Sequence, residues 1–582
     1  MMTDIKIHRS VRRPRGVILI TAMWICIALA AVVLVLCRQM MIESMTSTQH
    51  VAQAKASAAE IGAEQFVMSV LEQELGTPNT AGSPGYKDQV QWERREVGDC
   101  YVYWIRNNPD EEDAQQYGIV DEGSKVDLNT STTDMLNLLP EMDQYTSVAA
   151  AIKDWVDPDE DVTTDAYTGE EGAESTYYEG LDTPYHAKNL PLESVEELRL
   201  VAGVDEELLY GADTNHNGVV DINESANADA SLNFETSSLG IVPFVTVYGL
   251  KATNPILTPS DTGPTGVAPT TTTNTNTATA TTNPNSSPAG IYSDPFGNIV
   301  VDVNSTTTQQ LQLVLQQYIG GTRANTILTA TTARTSPTTA GRGTTGRGAT
   351  GRGATGATGT TATGPFTSIW DWAVTTQLTV DEFTEVYPYV VAILPTPTAT
   401  TTTTTTTTPP ANTTGTTTAA SAPTTPVGRI NINTAAKPAM MCIPGLEEAD
   451  VDAIIAYREG LVGQDPTQVP IVAWLLDNVI QPGTDGTSVA SKLTQAGPYI
   501  TGQSTVFSAD IVTVTKDGRA FKRVKIVVDD STGTPQIIYR RDLSDGGWPL
   551  SADIRDLLRK GEEPPITGNN GVTSSSSPVG LN

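Results

Sequence analysis

Between Arg15 and Arg38 the chain carries no charged residue, and from there to Leu75 apolar and polar positions alternate in threes and fours. The first run, residues 17–37, would make about 31 Å of helix, enough to cross a bilayer. In the second, Met41, Met45, Val51, Ala54, Ala58, Ile61, Met68, Leu71 and Leu75 fall on one helical stripe. Gly62 is the only helix-weakening residue before the stop at Gly76-Thr77-Pro78. The pattern predicts a single helix over residues 17–75, apolar throughout its first part and amphipathic in its second. Lys6, Arg9, Arg12, Arg13 and Arg15 precede it against one acid, Asp4, a bias that holds the leader in the cytoplasm and sends the bulk across. A secretory cut after Ala28-Leu29-Ala30 would leave the apolar Val32–Leu36 on the mature chain. A lipoprotein cut before Cys37 would need small residues where Leu34 and Leu36 stand.

Further on the period changes. Residues 77–125 and 504–545 read as short strands, and in the second stretch Lys516-Asp517-Gly518-Arg519 marks a hairpin between alternating flanks, giving about three antiparallel strands. Between them lies an internal repeat. VDLNTSTTDMLNLLP starts at Val126, VDVNSTTTQQLQLVL at Val301 and ININTAAKPAMMCIP at Ile430. Counting from Asn129, Asn304 and Asn433, apolar residues recur seven places on (Leu136, Leu311, Met440) and ten places on (Leu139, Val314, Ile443). Thr130, Ser305 and Thr434 are natural helix caps. In the third copy a second helix follows Pro444-Gly445-Leu446, with Ala449, Ala453, Ile454 and Tyr457 on one face; in the first, SVAAAIKDWV follows Pro140. Each copy also ends alike, at Pro243-Phe244-Val245-Thr246, Pro388-Tyr389-Val390-Val391 and Pro498-Tyr499-Ile500-Thr501. These are three helix-hairpin-helix-like modules, at 126–250, 290–395 and 428–503. The linkers 251–289 and 396–427 and the insert 329–364 hold almost no large apolar residue, so they are expected to be disordered. Residues 546–582 read as a tail.

Composition narrows the function. The chain has 35 basic and 67 acidic side chains, a net charge of −32, which repels nucleic acid and anionic membrane. A DNA-uptake receptor built on helix-hairpin-helix modules is the competing reading. Its hairpin after Gly445, however, carries Glu447, Glu448 and Asp450, the wrong sign for phosphate. Arg342, Arg347 and Arg352 recur in a Gly-rich tract without interleaved aromatics and read as a solvated loop. Four histidines, His8, His50, His186 and His216, assemble no catalytic or zinc arrangement, and no enzyme is expected. Cys26 and Cys37 fall in the apolar helix; nothing in the sequence indicates that Cys100 and Cys442 pair.

One motif points to a metal. Asp213, Asn215, Asn217, the Val219 carbonyl, Asp221 and Glu224 occupy the ligand places of a twelve-residue Ca2+ loop, with Gly218 at the turn. A structural Ca2+ ion is therefore expected. A weaker candidate is the acid-rich stretch around Asp157, Asp159 and Glu160, flanked by Asp154 and Asp161, which lacks a recognisable ligand spacing.

The start RG/VILITAMW, the segment AIKDWVDPDEDVTTDAYTGEEGAESTYYEGLDTPYHAKNLPLESVEELRLVAGVDEELL at 151–209 and RININTAAKPAMMCIPGLEEADVDAIIAYR resemble the K-type minor pseudopilins of type II secretion (general secretion pathway protein K). The likeness covers roughly 16–250 and 428–503; the middle module and Thr-rich linkers look like additions. It implies an α+β protein with a long pilin-type stem helix, a small antiparallel sheet and a large inserted helical body, holding calcium. It implies that residues 1–16 are a leader cut between Gly16 and Val17 by a prepilin peptidase, which methylates the new N-terminus, with 17–37 in the membrane and 38–76 as the stem. The fifth mature position is then Thr21, where major pseudopilins carry a glutamate that pairs with a neighbour's terminal amine. A subunit lacking that acid suits the tip, where nothing sits above it. The implied setting is the bacterial inner membrane, single-pass, with the bulk in the periplasm. The implied partners are other minor and major pseudopilins and the inner-membrane secretion platform, and no nucleic acid.

Overall fold

The computed structural model describes residues 15–75, 92–106, 116–220, 239–253, 257–260, 290–294, 297–305, 307–335, 364–394, 427–460, 472–477, 479–483 and 486–566. Arg15–Leu75 form one unbroken helix, the stem, and its apolar window has a mean hydropathy of 2.8 with none of it buried against protein.

The lower stem lies on an antiparallel sheet. Strands β1 (Arg95–Val97), β2 (Cys100–Arg106), β13 (Val506–Thr515), β14 (Phe521–Asp529) and β15 (Gln536–Asp542) follow one another across it. The short β3 (Gln116–Tyr117) pairs with β2, and β4 (Val120–Asp121) with β13. The hairpin expected at 516–519 joins β13 to β14, and its Gly518 takes a positive φ of 63° that a side chain would resist. β2 is buried along almost its whole length, and Trp104 packs with Trp92 and Phe66 at ring separations of 5.2–5.4 Å.

The stem turns a different face to this sheet than the sequence stripe predicts. Ala52, Ala56, Ala59, Ala63, Val67 and Val70 are buried, whereas Met41, Met45, Val51 and Ile61 are more than half exposed. Among the stripe positions whose side chains are described, only Leu71 is buried, with Met68 half-buried. Small side chains let the helix approach the sheet closely, so the alanines, not the larger residues, mark the contact. Glu60 and Glu64 are buried with them and bind Arg540 of β15 at 2.5 and 2.7 Å.

β2 and β13 are neighbours, yet the chain between them carries the whole helical body. Each repeat opens and closes on a two-residue parallel ladder. β5 (Val126–Asp127) pairs with β6 (Val245–Thr246), β9 (Ile299–Asp302) with β10 (Val390–Val391), and β11 (Ile430–Asn431) with β12 (Ile500–Thr501). The indexed asparagine locks each opening turn. Asn129 bonds Leu192 N at 2.7 Å and the Leu192 and Val247 carbonyls, and Asn304 treats Phe366 and Ile393 in the same way. Asn433 reaches the Gly502 carbonyl. The three modules share one apolar core that is separate from the core of the stem and sheet. Cys442 lies buried in the former and Cys100 in the latter, and both are free thiols.

Four expectations need correction. Helix Gly321–Thr335 runs into the segment read as a disordered insert, because Thr331 accepts a bond from the buried Trp372 indole and Arg334 pairs with Asp371 at 2.6 Å. Parts of the first linker are ordered, since Gly249–Thr253 is helical and β7 (Thr258–Pro259) pairs with β8 (Ile291–Ser293). The C-terminal stretch contains helix Ala552–Lys560, whose Leu558 enters the sheet core. In helix Glu448–Gly460 the buried face is Asp450, Val451 and Ile454, while Tyr457 is exposed, because Asp450 turns inward to meet Lys492. The remaining linker, residues 396–426, and the Arg/Gly tract lie outside the described residues.

Candidate metal centre

The acid-rich stretch gathers around the end of helix Val148–Val156. Asp154 sits on its last turn, fully buried, and Asp157 caps it in an extended conformation. The chain then loops out and returns through a bridge between Thr164 and Glu171. Gly172 makes the return possible: a Cβ there would lie 2.3 Å from Asp154 Oδ2 and 2.8 Å from the Ala150 carbonyl. Two residues later Glu174 arrives beneath the helix, buried, at the start of helix Ser175–Glu179.

Oxygens of Asp157, Asp159 and Glu174 come within 4.8 Å of one another. Both Glu174 oxygens, Asp157 Oδ1 and Asp154 Oδ2 are buried without a hydrogen-bond partner. Asp154 Oδ1 accepts from Thr163 N at 2.9 Å. Burial, followed by the charges of Asp154, Asp157, Glu160 and Asp159, pushes Glu174 up to about 7. Burial also raises Asp154 and Asp157. Converging buried carboxylates with unused lone pairs are costly as they stand, and a hard divalent cation is the partner their chemistry fits. Glu160 points elsewhere, to Ser175 and Asn189. Glu174 takes the place the sequence reading gave to Glu160; the Gly172 that delivers it is the one local sign.

Of the predicted calcium loop the structure describes the first part. Asp213 is buried and accepts from Asn217 N at 3.0 Å and Gly218 N at 2.7 Å, while Asn217 Oδ1 accepts from Val219 N. Gly218 has the positive φ, 82°, that the turn requires. The described part of the loop is pinned to the sheet: Arg523 of β14 donates to the carbonyls of Asn215 and His216, and Asn217 to that of Pro549. The His216 ring stacks on Tyr210 at 3.6 Å. Asp221 and Glu224 lie outside the described residues. Gly16, Val17 and Thr21 all fall within the stem helix, with Thr21 exposed.

The hairpin of the third module is closed to a ligand. Asp450 and Lys492 pair at 2.6 Å, both buried, Glu447 adds a longer contact, and Glu448 pairs with Lys437. A Cβ on Gly445 would meet Gln495 Cβ at 2.9 Å, so helix Val489–Ala496 already covers the turn where a phosphate would have to sit.

Residues 122–211, which include Asp154, Asp157, Asp159 and Glu174, match the family model for protein K of the type II secretion system. Over that segment the chain is similar to protein K. Over 72 residues it is 36% identical to type II secretion system protein K of Pectobacterium carotovorum subsp. carotovorum, an alignment covering 12% of this chain and 20% of that relative. The chain thus matches about a fifth of that protein's length. Among solved structures it resembles the crystal structure of the GspK-GspI-GspJ complex from the enterotoxigenic Escherichia coli type 2 secretion system, with 9% identity. That match covers 86% of this chain and 98% of the other at a TM-score of 0.32, too loose to carry an argument. The matched segment begins at Glu122, the first residue of the 3-10 turn after β4, where the chain leaves the sheet for the body.

Proposed function

We propose that this chain is a minor pseudopilin of a type II secretion system, anchored in the bacterial inner membrane with its body in the periplasm. The observation that carries the reading is a segment similar to protein K inserted into the sheet that packs on a stem running on as a membrane-length apolar helix. Its work is assembly, with no catalytic step: the stem packs among the stems of other minor and major pseudopilins above the secretion platform, and the body caps the filament tip. The stem face opposite the sheet, with Val51, Ala54, Ala58 and Ile61 exposed, suits such neighbours. Thr21 at the fifth mature position fits a subunit that needs no charge pair with one above it.

Two calcium sites support the body. Asp157, Asp159 and Glu174, with Asp154 behind them, would hold one ion; Asp213, Asn215, Asn217, the Val219 carbonyl, Asp221 and Glu224 would hold the other. A bound Ca2+ supplies the positive charge that lets the carboxylates stay ionised side by side. The chain's own residues fix where that charge must go: Gly172 sets the depth of Glu174, and Thr163 orients Asp154.

The deciding experiment is N-terminal sequencing of the chain made with and without a prepilin peptidase. Peptidase-dependent cleavage between Gly16 and Val17 supports the filament role. An intact leader, or a cut after Ala30, makes the protein an anchored or secreted scaffold instead. For the metal, terbium luminescence sensitised by Trp155 should appear and be lost in Glu174→Gln; equal signal in both proteins would remove the first site.

A further inference from the structure

Both chain crossings between the sheet unit and the helical body occur at one place. The outgoing crossing runs from β4 through Glu122 to β5, and the returning one from β12 through Ser504 to β13. They touch: Asp121 is paired with Phe507 in the β4–β13 ladder, and a Cβ on Gly123 would meet Ser504 Oγ at 2.6 Å. An apolar cluster shared by the two parts, Ala252 with Val506 and Val527 and flanked by Tyr248 and Tyr539, is also here. Buried carboxylates hold the spot. Glu122 accepts from Ser508 and Thr246 at 2.5 Å each, and Asp121 from Asn431 and Thr434.

Away from that point the seam changes character. The two large cores share no residue. Lys251 pairs with Asp529 beside the crossings; farther off, the contacts across the gap are polar: Glu196 to Arg541 at 2.9 Å and Arg523 to the carbonyls of Asn215 and His216. A cavity of about 410 Å³ lies in the same seam, between Glu196, Tyr210 and His216 of the body and Asp510, Lys525 and Arg541 of the sheet. A close-packed domain interior leaves no such polar void.

We infer that the helical body is hinged on the stem and sheet at the paired crossings, with the Glu196–Arg541 ion pair across the gap acting as a stay that ionic strength can release. Partly exposed pairs are weak and screened by salt, whereas the buried Asp121 and Glu122 bonds are not. The body then tilts as a unit about the crossings, and neither core is disturbed. A tip subunit hinged in this way can seat its stem in a helical array while its body finds its own orientation.

The test uses the full chain in detergent with Cys26 and Cys37 replaced by Ser, and spin labels at Glu207→Cys on the body and Arg519→Cys at the far end of the sheet. Distances are measured at 0.05 and 1 M NaCl (order-of-magnitude low and high screening) at one fixed calcium concentration. A second, longer population should grow about two- to fivefold at high salt, the range expected from releasing one partly exposed pair. The Glu196→Gln/Arg541→Gln protein should hold that population already at low salt. A control pair within the body, Glu207→Cys with Asp381→Cys, should not move. One narrow distance at both salt concentrations overturns the hinge, as does lengthening of the control pair.

Discussion

Glu122→Gln tests how the pivot is held. In the native protein Glu122 is 3% and Lys125 8% exposed, and they pair at 2.8 Å while Ser508 and Thr246 donate to the same carboxylate. Burial alone would raise Glu122, but the charges of Lys125 and Lys525 and the bonds from Lys125 and Ser508 outweigh it and hold the group at about 2. Glutamine keeps the shape and most hydrogen bonds and leaves the Lys125 ammonium buried without its counter-charge, which costs about 3–5 kcal/mol. Removing both charges in Glu122→Gln/Lys125→Met should restore most of that loss. Burial lowers Lys125 in turn, so the net gain belongs to the pair, and a double-mutant cycle is the proper measure. The readout is urea unfolding followed by tryptophan fluorescence, since Trp92 and Trp104 fill the sheet core. A coupling of at least about 2 kcal/mol is expected. The pH dependence has a definite sign: a carboxylate depressed from 4.5 to about 2 stabilises fully above pH 4.5 and loses that contribution as pH falls toward 2. Acid unfolding of Glu122→Gln should lack that component. A loss below about 1 kcal/mol for the single variant, or a coupling near zero, would refute the reasoning.

Three further outcomes are expected. Asn304→Ala removes three hydrogen bonds and strands the buried Phe366 amide and carbonyl. Amide exchange in the 290–394 module should report a loss of about 2–3 kcal/mol with the stem and sheet unaffected. Asn431→Asp would set a second carboxylate against Asp121, which burial already raises. Its melting temperature should fall below wild type at neutral pH, and the deficit should shrink as acid protonates one of the two. Ile61→Arg, on the exposed stem face, should change folding stability by no more than about 0.5 kcal/mol. The same change should abolish co-purification with neighbouring pseudopilins; unchanged recovery would move the filament contact to another face.

The body was the most legible part of the chain because its repeat is imposed by backbone bonding. A strand, a turn locked by asparagine and a returning strand leave the same residues at the same offsets, and Asn129, Asn304 and Asn433 stand where those turns close. The stem was readable as a helix and misread in its facing, since both faces are apolar and size favoured Val51 and Ile61 over the alanines that make the contact. Glu174 was not legible as a member of the carboxylate cluster because its partners lie on the far side of a loop whose path depends on tertiary packing against Asp154.

The departure within the repeat is as informative as its regularity. The opening strands of the first two modules end in Asp127 and Asp302, whose carboxylates accept backbone amides of their own modules, Asn129 and Leu250 in one case and Asn304 and Ile393 in the other. The third has Asn431, which takes the Asn433 amide in the same way and donates its own amide group to Asp121 at 2.8 Å. This copy meets an acid from the sheet unit at that place, and an amide, unlike an ionised carboxylate, can accept from its own turn while donating outward. The change from Asp to Asn at this position thus belongs to the module that closes against the pivot.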